Sequence, residues 1–267
     1  MQWDNIKSIV LKEYWTYVGS RKIISILFIM ALYAVVIGIN YIIGPEALTS
    51  YSRELAMKQI SSSASAFGIN PSDVEKMGDN AILLAAMVIQ LPLTIAVFSY
   101  FATYNSILTS FLRERMLGTM EVLFSCPLDE REIIGGKILA SATVGMTTWA
   151  FLFLMNTTGI ETITMRSLGR VWIPIPEYII LSVLYPLSMI FLAIPVGLLI
   201  SAGMGKWFGE QVGGLVGIIP LLFVAVLPRI NVMDFFELVK VLVGASILTI
   251  FVLLKFLKIK RLSFITN

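Results

Sequence analysis

Between Ile23 and Ile43 the chain runs for 21 residues without a charged side chain. A helix of that length crosses about 30 Å of hydrocarbon. In lipid a helix is also one of the few structures whose backbone polar groups satisfy one another. Apolar runs at 80–109, 133–156, 177–202, 211–227 and 240–257, with charges only towards their ends, read as spans too. The expected fold class is therefore all-α, a polytopic membrane protein with six transmembrane helices forming a single transmembrane domain over 1–267. Composition agrees: of 267 residues 57% are hydrophobic and only 14% charged, where a soluble domain carries about 25% charged residues.

Residues 1–20 do not read as a cleavable signal, because Asp4, Lys7, Lys12 and Glu13 are scattered through them and no small-residue cleavage pattern follows. Trp3, Ile6, Val10, Tyr14 and Tyr17 share one helical face, opposite Asn5, Ser8, Lys12 and Thr16. That pattern predicts an interfacial helix at headgroup depth. The segment 44–79 is polar and serine-rich and is expected outside the cytoplasm, with a turn at Asn70-Pro71 and a capped helix start at Ser72. Lys and Arg are concentrated at 7–22, 113–137, Lys206 and 255–261, with fewer at Arg53, Lys58, Lys76, Arg166, Arg170, Arg229 and Lys240. The positive-inside bias then places both termini in the cytoplasm of a multi-pass protein in the cytoplasmic membrane. Pro92, Pro186, Pro195 and Pro220 fall within spans and predict kinks. Asn156-Thr157-Thr158 fits a glycosylation sequon.

The longest strongly charged interval between two apolar runs is Arg113–Lys137, RERMLGTMEVLFSCPLDEREIIGGK. Its spacing predicts a short amphipathic helix from Leu112 to Phe124. Met116, Met120 and Leu123 line one side, and Val122 and Phe124 widen the apolar arc. Pro127 ends that helix at Cys126. Asp129 then starts the next one, with Glu132 completing a capping box.

The order Arg113-Glu114-Arg115, Gly118-Thr119-Met120-Glu121, Cys126-Pro127 and Gly136-Lys137 resembles the first cytoplasmic loop of ABC type 2 exporter permeases. In that family a pattern E-R-x-x-G-T-L-E … P … G-K forms a coupling helix that docks on an ATPase subunit. Met120 stands where leucine is more usual, a volume-conserving exchange. The resemblance implies that Arg113, Glu114, Arg115, Met116, Gly118, Thr119, Met120, Glu121, Leu123 and Phe124, within the 112–132 loop, couple the chain to a cytoplasmic ATP-binding-cassette subunit. It also implies an amphipathic N-terminal helix and a dimer with a second permease copy or paralogue.

The residues themselves narrow the function. Histidine is absent and Cys126 is the single cysteine, so His-ligated haem, His-based zinc and Ser–His or Cys–His catalysis drop out. No catalytic or metal-binding set is expected, nor any nucleic-acid partner. The span interiors carry no clear ionisable residue, which argues against ion-coupled transport. Gly136-Lys137 lacks the rest of a phosphate-cradling loop. No cofactor is expected on this chain, and ATP and Mg belong to the partner subunit. Gly205, Gly209, Gly213 and Gly217 recur every fourth residue and form a ridge for close helix packing, within the subunit or against a second copy. The expected function is that of an export permease driven by a separate ATPase. The alternative is a six-span scaffold or assembly protein without a transport path.

Overall fold

Charge ends an apolar run, but it does not end a helix. In a computed structural model, which describes residues 3–19, 69–118, 129–203, 215, 217–219 and 235–259, the helices run past the boundaries that hydropathy sets. They are α1 (Trp3–Val18), α2 (Pro71–Met77), α3 (Asp79–Met116), α4 (Glu130–Leu168), α5 (Pro176–Gly203) and α6 (Phe235–Ile259). Regular structure among the described residues is entirely helical. The expected first span at 23–43, most of the 44–79 segment and most of the fifth span at 211–227 lie outside the described residues.

Three helical stretches are long and apolar enough to cross a membrane: Pro92–Leu112, Glu132–Leu168 and Pro176–Ser201. They fall in the second, third and fourth expected spans, and α6 covers the sixth. The third span was expected to end at Asn156, short of Arg166. Instead α4 continues to Leu168, and Gly169 turns the chain with φ +66°. The polar residues after 156 do not stop it because they serve the helix itself. Thr157, Thr158, Thr162 and Thr164 donate to the carbonyls of Phe153, Leu154, Thr158 and Ile160 at 2.7–3.0 Å. Such back-bonding lets a threonine sit in an apolar helix without an outside partner. Asn156 likewise donates to Leu152 O at 3.0 Å and is buried, so the sequon offers no accessible acceptor.

The described residues divide between two compact units, one drawn from Met1–Ile23, Ala96–Trp149 and Leu184–Asn267, the other from Ile24–Ile95 and Ala150–Val183. In the first, Ile107 and Phe111 of α3, Ala142 of α4 and Ile190, Ile194 and Leu198 of α5 form a buried cluster. Gly145 sets the approach of α3 and α4, since a Cβ there would collide with Thr103 Oγ1. Small residues at such crossings let backbones come close and collect dispersion contacts, which lipid does not replace.

In the second unit, Pro92 lies inside α3 and has no N–H to give the carbonyl of Val88, one turn back. The hydroxyl of Tyr178 takes that place, donating to Val88 O at 2.7 Å. Asn70 precedes Pro71 at the start of α2, so this helix begins one residue before the expected Ser72. Asp73 pairs with Arg170, and Glu161 accepts the Trp172 N–H at 3.2 Å. Glu161 is thus an acidic residue on α4 that holds the chain reversal after Gly169.

Candidate functional site

α3 carries the charged stretch further than expected and ends it sooner. The helix runs unbroken through Arg113, Glu114, Arg115 and Met116. Leu117 and Gly118 form a turn, with Gly118 at φ +66°. This left-handed conformation is cheap for glycine and ends helices. The continuous amphipathic helix expected from Leu112 to Phe124 is therefore interrupted at Gly118. Thr119, Met120, Glu121, Leu123 and Phe124 lie outside the described residues, as do the side chains of Arg113, Arg115 and Met116. On the far side α4 starts where expected. The carbonyl of Asp129 accepts from the N–H groups of Glu132 at 2.8 Å and Ile133 at 3.2 Å.

The two helix ends are joined by Lys137, the last residue of the charged stretch, which lies beyond the expected 112–132 loop. Lys137 is 1% exposed. Its Nζ donates to Glu13 Oε1 at 3.2 Å, Ser110 Oγ at 2.9 Å and Ser110 O at 3.3 Å. It also lies 2.7 Å from Glu114 Oε2 and 5.4 Å from the centroid of the Phe111 ring. Ser110 Oγ in turn donates to Glu13 Oε2 at 2.9 Å. The node therefore takes Glu13 from α1, Ser110 and Glu114 from the last turns of α3, and Lys137 from the first turns of α4. A buried ammonium needs this many oxygen partners, because its desolvation is costly without them.

α1 sits on this node by one ridge. Asn5 Nδ2 donates to Glu132 Oε2 at 3.1 Å, a Cβ on Gly136 would come within 2.7 Å of Ile9 Cγ2, and Glu13 reaches Lys137. Of the face expected at headgroup depth, Ile6 and Tyr17 are buried within the protein, whereas Trp3 is 66% exposed. The outward apolar residues are Trp3, Leu11 and Trp15, while Asp4, Lys7, Ser8, Lys12 and Thr16 are the exposed polar ones. Burial pushes the Tyr17 hydroxyl up to about 12. A cleft of about 240 Å³ opens beside the node, lined in part by Lys12, Thr16, Tyr17, Thr109 and Leu117.

Sequence reasoning singled out Glu114 and quoted Lys137 only as the end of the motif; it gave no role to Glu13 and Ser110, the other partners of Lys137. One signal was present: Glu13 falls on the same helical side as Ile6, Ile9 and Tyr17, and an acidic residue on a packed face calls for a cation. Of the glycine ridge, Gly205, Gly209 and Gly213 lie outside the described residues. Gly217 does make a close approach, but to its own chain. A Cβ there would come within 2.6 Å and 2.7 Å of Tyr100 Cδ1 and Cε1. Leu215, on another side, is 61% exposed. Among the described residues no group of His, Cys, Asp or Glu could hold a metal ion.

The arrangement defines a class by its physics: an all-α chain with helices fit to cross a membrane and a buried ionic node at the ends of two of them. No protein-family model, curated protein or solved structure matches this chain.

Proposed function

We propose that the chain is the membrane-spanning permease subunit of an ABC type 2 exporter. In this reading it has six spans, both termini in the cytoplasm, and a dimeric assembly with a second copy or paralogue. ATP with Mg is bound and hydrolysed in a separate cytoplasmic subunit, which docks on the 112–132 loop. The observation that carries the reading is the charged stretch Arg113–Lys137 between two membrane-length helices, with the motif order E-R-x-x-G-T-M-E … P … G-K. The ionic node supports it, because a loop that receives force is useful only if its two flanks are held together. An aliphatic interior favours a lipophilic or amphipathic cargo. The scaffold alternative shares the helices but gives the loop no energy-coupling role.

Charge reversal at Glu121 tests the reading. Glu121→Arg is expected to lower co-purification of the ATPase subunit and its stimulated hydrolysis by about thirtyfold or more, the effect of leaving a partner charge at the interface unpaired, with permease abundance unchanged. Equal co-purification and equal hydrolysis would favour the scaffold.

A further inference from the structure

We propose that Lys137 is a positioning residue that pins α1 to both flanks of the loop between α3 and α4, making α1 part of the platform that the ATPase subunit meets. This rests on the permease reading above. The contacts that fix α1 differ in reach. Asn5 and Ile9 meet α4, at Glu132 and Gly136. Glu13 alone among these extends to α3, through Ser110 Oγ, and shares Lys137 with Glu114.

Glu13 Oε1 and Glu114 Oε2 lie 3.2 Å and 2.7 Å from the same nitrogen, so the two carboxylate oxygens are at most 5.9 Å apart. Both side chains are largely buried, at 13% and 16% exposure. Two carboxylates this close in a poorly solvated place repel unless a cation stands between them. Lys137 is that cation. Removing it turns an attraction between α1 and α3 into a repulsion, while the Asn5 and Ile9 contacts with α4 persist. Against that repulsion the Ser110–Glu13 hydrogen bond still acts, and α1 swings away from the end of α3, where the loop begins.

The test uses the full chain in its membrane, in a Cys126→Ser background. Spin labels at Lys12→Cys and Leu117→Cys, both exposed, report the α1–α3 distance by pulsed electron paramagnetic resonance. A single narrow distribution is expected for the parent. Lys137→Met should broaden and lengthen it, whereas Lys137→Arg should retain it. The triple variant Lys137→Met, Glu13→Gln, Glu114→Gln should restore it, because repulsion is removed with the cation. A merely space-filling lysine would give the opposite order, with the triple variant worst.

Vanadate-sensitive ATP hydrolysis in the affinity-purified complex should fall about tenfold or more in Lys137→Met and recover in the triple variant, as expected when one member of a buried ionic group is removed. An unchanged distance distribution in Lys137→Met overturns the pin. A changed distribution with unchanged hydrolysis overturns the platform role. A parent preparation with no such hydrolysis overturns the permease reading, and the platform role with it, while the spin-label result still decides whether Lys137 positions α1.

Discussion

Lys137 and Glu114 face each other at 2.7 Å across the gap between the end of α3 and the start of α4, with Lys137 1% exposed. Such a pair says little about net stability while intact, since desolvation offsets most of its attraction. Its value shows when one partner is removed. Lys137→Met should destabilise the chain by about 3–5 kcal/mol, because two carboxylates lose their shared cation. Glu114→Gln should cost less, since Lys137 keeps Glu13 and Ser110. Unfolding in mixed detergent micelles gives both values, and equal losses would contradict the shared-cation arrangement.

Tyr178 supports a helix that Pro92 interrupts. Tyr178→Phe should cost about 1–3 kcal/mol, the penalty for leaving the buried Val88 carbonyl without a donor. In a Pro92→Ala background the alanine N–H serves that carbonyl, so the same tyrosine change should cost much less. The double-mutant cycle measures the coupling directly. Additive losses would mean that the hydroxyl does not replace the missing helical donor.

Much of this was legible in the sequence, and for a definite reason. The uncharged run from Tyr178 to Ser201 is long and apolar enough to cross a membrane, and lipid leaves few structures but helices. Helix ends were less legible. Hydropathy falls at Asn156 and at Arg113, yet Thr157–Thr164 bond to their own helix, and the Arg113–Met116 backbone remains helical. The node was hidden because Glu13, Ser110 and Lys137 are neighbours only after folding. Each alone resembles an ordinary polar residue near a membrane surface.

The glycine ridge makes a separable prediction. Gly217→Leu should destabilise by about 1–3 kcal/mol, the usual cost of forcing extra methylenes into a packed site, because the Tyr100 ring occupies the space. Leu215→Ala, at an exposed position, should lie within about 0.5 kcal/mol. If Gly217→Leu leaves monomer unfolding unchanged and lowers only dimer yield, the ridge faces a second copy.

Tyr17 gives a pH test. Its folded value is about 12 because of burial, above the ordinary value near 10. The folded state therefore holds this proton more tightly than the unfolded state. Its contribution to stability is fully present below pH 10 and is lost as pH rises from 10 towards 12. Comparing the parent with Tyr17→Phe over that window should reveal an alkaline loss present only in the parent. Identical curves would mean that the hydroxyl is as well solvated as in the unfolded chain.

Whether a separate ATPase works this chain, as proposed, is read on the protein isolated from its native membrane. The tagged chain is expected to carry an ATP-binding-cassette subunit in equal amount, and the preparation to hydrolyse ATP in a vanadate-sensitive manner. A chain that purifies intact, with native helical content but no such subunit and no hydrolysis, would contradict it.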